Sequence, residues 1–190
     1  MAKTPSFMLP LGTQAPGFSL TDVSSDLSIN LTASDKHDTA TVICFICNHC
    51  PYVKHINQAL TQLANDYMPK QIRFIAINSN DTANYPDDSP ENMKRIAETE
   101  QYPFPYLFDA TQEVAKAYHA TCTPDFFVFD QDLMLTYRGQ LDDSRPGNGL
   151  TPDGASIREA LDCLIAGKPV LQDQKPSIGC NIKWKTTEKV

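Results

Sequence analysis

The stretch Phe45-Ile46-Cys47-Asn48-His49-Cys50-Pro51-Tyr52-Val53 decides how the rest of the chain is read. Before it, Thr41 to Ile46 is an apolar, β-branched run that predicts a buried strand. After it, Ile56, Ala59, Leu60, Leu63, Ala64 and Tyr67 fall in the stripe of a helix with one buried face. A strand therefore delivers Cys47 and Cys50 to a helix start, with Pro51 suited to the first turn because its missing N–H loses nothing there. Cysteines three apart at such a place have side chains about 5 to 6 Å apart, close enough to open and close a disulfide with little backbone movement. Cys47 is expected to head the helix, where unpaired N–H groups and the positive end of the dipole favour its thiolate, and Cys50 to lie deeper as a thiol. The dipole alone accounts for about one pKa unit.

The 190 residues suffice for one good-sized domain. A net charge of -7 and a pI near 5.0 exclude the electrostatic attraction that nucleic acid or an anionic membrane requires. No apolar leader stands between Met1 and Gly12 and no run is long enough to span a bilayer, so a cytoplasmic location is expected. In a reducing compartment a close cysteine pair points to catalysis or metal binding before a structural bridge.

Around the central strand and helix, Leu11 to Asp22 predicts a loop entering a short strand, with Leu27 to Leu31 its hairpin partner. Ile72 to Ile77 predicts a second strand, parallel to the first through a right-handed crossover. The segment from Asn78 to Glu91 is polar and turn-rich. Ser89-Pro90-Glu91 starts a short helix with Met93, Ile96 and Ala97 inward. Tyr106 to Phe108 suggests an edge-like strand, and Asp109 with Gln112 a capping box for a helix carrying Val114, Ala115 and Tyr118. Thr123-Pro124 precedes a strand over Asp125 to Asp130, and Leu133 to Tyr137 returns as its partner. Thr151-Pro152 predicts the start of the last helix, and Gly167 then Pro169 its stop. Residues 1–169 form the expected domain and 170–190 a tail packed on it.

The pairing directions then place a site. Parallel strands over 41–46 and 72–77 end on one edge, bringing Asn78, Asn80 and Asp81 beside the cysteines. An antiparallel strand from Asp125 begins at that edge with Cys122 and Pro124, and its partner ends there with Arg138, Gln140, Asp142, Asp143 and Arg145. Arg138 and Arg145 serve either to bind an anion or partner or to stiffen the loop by pairing with Asp142 and Asp143.

Cys47-Asn-His-Cys50 at a strand-to-helix junction, with Thr123-Pro124 before a later strand, resembles the thioredoxin fold and its redox site. The prefix Gly12-x-x-Ala15-Pro16-x-Phe18-x-Leu20 resembles the peroxiredoxin and AhpC/TSA branch. The blocks running from Thr123 to Asp130, from Tyr137 to Asn148 and from Pro176 to Lys185 are similar to peroxiredoxin-like thioredoxin family proteins of bacteria. The resemblance implies an α/β, thioredoxin-like mixed sheet flanked by helices, with an N-terminal hairpin extension and a C-terminal tail. It implies a redox-active disulfide and no other cofactor. Its partners would be a protein or low-molecular-weight thiol or disulfide substrate and a dithiol reductant, with Asn48, His49, Thr123 and Pro124 tuning the site or binding substrate. A cis Thr123-Pro124 bond would expose the Thr123 backbone to an extended substrate. His49 before the second cysteine resembles oxidases and isomerases, which hold a more oxidising disulfide than thioredoxin.

Two departures stand out. No acid occurs between Thr41 and Ile46 to match the buried proton acceptor of thioredoxin. Aligned on Cys50-Pro51 with peroxiredoxins, the chain has Cys47 in place of the peroxide-binding threonine. Thiol–disulfide exchange is thus the expected activity, in which Cys47 attacks and Cys50 resolves. A thiol peroxidase with an antioxidant role is the alternative, followed by a non-enzymatic redox sensor or a metal module using His49 or His55. No metal is expected. Cys44 and Cys163 fit inert core positions, and His55 and His119 fit helix surfaces. The tail from Pro176 to Trp184 carries the only Trp and too much apolar surface to stay solvated, so it should dock. Cys180 then either packs under it or, with Cys122, supplies a third redox thiol.

Overall fold

The computed structural model describes residues 3–35 and 39–186. Residues 187–190 of the expected tail and 1–2 of the expected domain lie outside the described residues. In chain order the elements are β1 (Lys3–Pro5), β2 (Phe18–Asp22), β3 (Ser28–Leu31), β4 (Ala40–Phe45), α1 (Pro51–Tyr67), β5 (Ile72–Asn78), α2 (Pro90–Thr99) and β6 (Tyr106–Phe108). They continue with α3 (Glu113–Ala117), β7 (Cys122–Thr123), β8 (Asp125–Asp130), β9 (Leu135–Gly139), α4 (Ala155–Ile165) and β10 (Ile178–Asn181).

A mixed sheet runs in the order β3-β2-β6-β5-β4-β8-β9. β4 is buried along its whole length because it is covered on both faces. Val42 and Cys44 face the core shared with Leu60, Leu63 and Leu161 of α1 and α4. Ile43 and Phe45 face a second core with Tyr118, Phe127 and Ile182. β4 pairs in parallel with β5, with Ala40 opposite Ile72, and antiparallel with β8, with Phe45 opposite Asp125. The C-terminal ends of β4 and β5 and the start of β8 thereby meet at one edge, as the pairing argument expects.

Several elements depart from expectation. β6 is internal and not an edge, since it pairs in parallel with β5 and antiparallel with β2. The β2–β3 hairpin extends the sheet past it, and the Tyr106 N–H donates to the Asp22 carboxylate at 3.0 Å. The capping box does not form, because Gln112 stands at the N-cap of α3 with a left-handed φ of 64° and turns its amide to the carbonyls of Ser79 and Lys183. Asp109 instead accepts from the Ala115 N–H at 3.0 Å. α4 starts at Ala155 and not at Thr151-Pro152, because the Asp142 carboxylate captures the Asp153 and Gly154 N–H groups, each at 2.8 Å, in the loop before it. Cys44 is a core thiol, whereas Cys163 lies half-buried on α4.

The tail docks. β10 forms the middle strand of a second sheet in the order β1-β10-β7, flanked by the N-terminal segment and by the residues preceding Pro124.

Candidate active site

β4 ends at Phe45, Ile46 still donates its N–H to Ile77 at 3.0 Å, and Cys47 to His49 form a turn before the helix. The helix begins at Pro51, so its N-cap is Cys50 (φ -69°, ψ 124°) and not Cys47. The cause is local: a proline ring clashes with a helical conformation in the residue before it, which forces that residue into the extended region. Cys50, and not Cys47, therefore stands at the head of the helix.

The sulfurs gather at the peptide before Pro124. Cys47 Sγ lies 3.2 Å from Thr123 Oγ1, and Cys50 Sγ lies 3.2 Å from the Thr123 carbonyl oxygen, to which it donates when protonated. The Thr123-Pro124 bond is cis, as expected. Cys180 Sγ lies 3.0 Å from Cys50 Sγ. A hydrogen bond from the Cys47 thiol, then that of Cys180 and the backbone N–H groups of Val53 and Cys180, outweigh burial and lower the Cys50 thiol to about 5. Cys47 is held high, by its hydrogen bond to Cys50 first, then by burial and the nearby Asp88 carboxylate. All three thiols are buried.

The turn between the cysteines is held by one carboxylate. Asp88 accepts from the Asn48 N–H at 2.7 Å, from His49 Nδ1 at 2.6 Å, from Asn80 Nδ2 at 2.8 Å and from Asn78 Nδ2 at 3.3 Å. The Asn48 side chain bonds to the Asp87 carbonyl and to Tyr106, and so holds the turn. The hydrogen bond to Asp88 raises the His49 pKa against the lowering by burial, and the ring stacks on Tyr85 with centroids 5.7 Å apart. Cys47, His49 and Asp88 offer ligand atoms within 4.8 Å of one another. A metal there would have to compete with the hydrogen bonds that already fill the Asp88 carboxylate.

Asn78 and Asn80 stand at the expected edge, linking Asp88 to the tail, where the Lys183 N–H donates to Asn80 Oδ1 at 2.8 Å. Arg145 lies in the loop lining a small cleft with Pro124 and Ile178, and it stiffens that loop through the Asp142 and Ser144 carbonyls and Gln140 without pairing with the carboxylates. Arg138 is not part of this group, because it reaches away to the Leu9 carbonyl and Gln174. Its position on β9 turns it to the strand's outer side, where the N-terminal segment and the tail pass. Cys122 points its thiol at the Pro124 carbonyl, 3.7 Å away, and burial pushes that thiol up.

Sequence reasoning missed Asp88 and Asp125. Asp88 has no local signal, since only folding brings the loop after β5 to the turn before α1. Asp125 supplies a buried acid at this edge, on β8 and not in β4. Neither carboxyl oxygen has a hydrogen-bond partner, and burial raises its pKa well above the usual range.

The architecture is thioredoxin-like. The chain is similar over 98% of its length and 98% of the other's to an uncharacterized conserved protein from Geobacillus kaustophilus, at 62% identity and a TM-score of 0.95. A thiol:disulfide interchange protein of Chlorobium tepidum has 18% identity and a TM-score of 0.61, covering 81% of this chain and 97% of that one. The peroxidoxin BcpB of Mycobacterium tuberculosis has 18% identity and a TM-score of 0.60, covering 82% and 96%. No curated protein matches the sequence. Residues 11–138 match the AhpC/TSA family, and the chain belongs to it.

Proposed function

We propose that the protein is a thiol–disulfide oxidoreductase in which Cys50 is the attacking thiolate and Cys47 the resolving thiol. The observation that carries this reading is the convergence of the two thiols on Thr123, with Cys50 at a helix N-cap. The Cys50 thiolate attacks an external disulfide, forms a mixed disulfide and releases one thiol. Cys47 then gives up its proton, attacks the Cys50 sulfur and releases the second thiol, leaving Cys47 bonded to Cys50. A dithiol reductant restores the pair, and no cofactor beyond the disulfide takes part. His49, hydrogen-bonded to Asp88, acts as a positioning residue for the turn between the cysteines. The acidic charge and the low cysteine density make the cytoplasm the proposed setting. Among the described residues no helix is long and apolar enough to cross a membrane.

The direct test is insulin reduction by dithiothreitol with catalytic amounts of the protein. Acceleration that is lost in both Cys50→Ser and Cys47→Ser supports the exchange; the same rate in either variant overturns it.

A peroxidase reading also has its own observation. Cys50 is a lowered thiol at a helix N-cap followed by Pro51, and the resemblance to peroxiredoxins aligns it with their peroxide-attacking cysteine. Peroxide would oxidise it to a sulfenic acid, which Cys47 would condense to a disulfide with loss of water. Peroxide consumption with dithiothreitol as donor tests this, and a rate no faster than the uncatalysed one removes it.

A further inference from the structure

The position where an extended substrate would pair with Thr123 is already filled by the chain's own tail. Gly179 makes this approach possible: a Cβ there would collide with the Thr123 carbonyl oxygen, so β10 lies closer to β7 than any side-chain-bearing residue would allow. The register sets Cys180 opposite Thr123 and Asn181 opposite Cys122. Alternation along the strand turns Cys180 to the thiols and Asn181 away. On the far side β1 closes the strand in, with Lys3 opposite Cys180.

Both ends of β10 are anchored, so the thiol is held in place. Upstream, the Ser177 N–H donates to Ser6 Oγ at 2.9 Å and the Ser177 hydroxyl donates to the Gly139 carbonyl at 2.6 Å. Downstream, Ile182 is buried in the core beneath the sheet, its N–H donates to Thr121 at 3.1 Å, and the Lys183 carbonyl accepts from the Asp81 N–H at 2.8 Å. Packing alone would be served by any small apolar side chain at residue 180. What stands there is a sulfur 3.0 Å from Cys50 Sγ, on a strand that occupies the substrate position. Cys122, the other candidate, turns to Pro124.

We propose that Cys180 is a third redox thiol, an internal substrate that attacks the Cys50 sulfur of the oxidised Cys47–Cys50 pair and takes over the disulfide. The inference rests on the exchange reading of that pair. One S–S bond forms, between Cys180 and Cys50, and one breaks, between Cys50 and Cys47. The electron pair of the broken bond stays on the Cys47 sulfur. The proton lost by Cys180 ends on Cys47, so no oxidant or reductant is consumed. The result moves the oxidising equivalent onto the tail and staples β10 to the head of α1.

The experiment uses the full chain. The reduced protein is treated with one equivalent of diamide, quenched by alkylation in denaturant, digested without reduction and mapped by mass spectrometry, beside Cys47→Ala and Cys180→Ala. In the wild type the expected map contains both the Cys47–Cys50 bridge and a fraction of at least about a tenth with Cys180 joined to Cys50. Cys47→Ala should convert almost wholly to Cys50–Cys180. An oxidised wild type in which Cys180 is always unlinked, together with a Cys47→Ala protein in which Cys180 alkylates only after denaturation, overturns the proposal. Two kinds of failure are separable. If only the role of Cys180 fails, the Cys47–Cys50 bridge still forms, no Cys180–Cys50 peptide is found and the wild type still reduces insulin. If the exchange reading fails, neither bridge forms and the wild type is inactive with insulin.

Discussion

At the scale of single residues, the site turns on where one proline stops a helix from starting earlier. Pro51 makes Cys50 and not Cys47 the N-cap, and hydrogen bonds from Cys47, then Cys180 and the Val53 N–H, lower its thiol. Iodoacetamide alkylation of the reduced protein should therefore follow the Cys50 thiolate with a midpoint near pH 5. Cys50→Ser should lose this rapid phase at pH 6, and Cys47→Ser should keep it. The His49–Asp88 pair predicts a pH window of stability. Asp88 is lowered in the fold by its hydrogen bonds against burial, so its contribution is complete above the ordinary carboxylate value of about 4 and is lost as pH falls through the folded value. His49 is raised, so its contribution is complete below the ordinary imidazole value of about 6.5 and is lost as pH rises through the folded value. Asp88→Asn should remove about 2 to 4 kcal/mol between those two pH values. Denaturant titrations at pH 5 and pH 8 should show a smaller difference between the two pH values in the variant than in the wild type.

At the scale of elements, β10 is the cover of the site. It pairs with the backbone before Pro124, and its removal is what an external strand would require. Gly179→Ala places a methyl group against the Thr123 carbonyl, which is backbone and cannot swing aside. The variant should loosen β10 from β7 and raise the alkylation rate of Cys50 at pH 6 by about tenfold, an opening of about 1.4 kcal/mol. An unchanged rate would show that the strand is not what shields the thiolate. β1 depends on the same strand, since β10 is its sole pairing partner among the described residues. Amide exchange in Lys3 and Thr4 should thus accelerate in parallel with that of Ile178–Asn181.

At the scale of the whole molecule, two cores sandwich the sheet, and the tail closes one of them with Ile182, which is 1% exposed. Ile182→Ala should cost about 3 kcal/mol, a fall in Tm of roughly 6 to 12 °C for a chain of this size. A change under 1 °C would mean that the tail rests on the body without belonging to its core. The sequence by itself determined the elements whose causes are local. The apolar run of β4, the stripe of α1, the Ser89-Pro90 start of α2 and the Gly167 stop of α4 all read correctly, because burial period and capping chemistry are written within a few neighbouring residues. The Cys47-Asn-His-Cys50 turn and Thr123-Pro124 were legible for the same reason, and the pairing directions brought them to one edge. That Cys50 and not Cys47 caps the helix was also within reach, through the restriction that Pro51 places on Cys50. The tertiary structure alone decided that β6 lies inside the sheet, that Asp88 holds the turn, that Asp125 is a buried acid, and that Arg138 faces away while Cys180 touches Cys50. Each of these depends on contacts between segments distant in the chain, such as residue 88 with 49 and residue 180 with 50 and 123. Local propensity carries no record of such pairings, because their free energy comes from burial and hydrogen bonds that exist only once the whole sheet has closed.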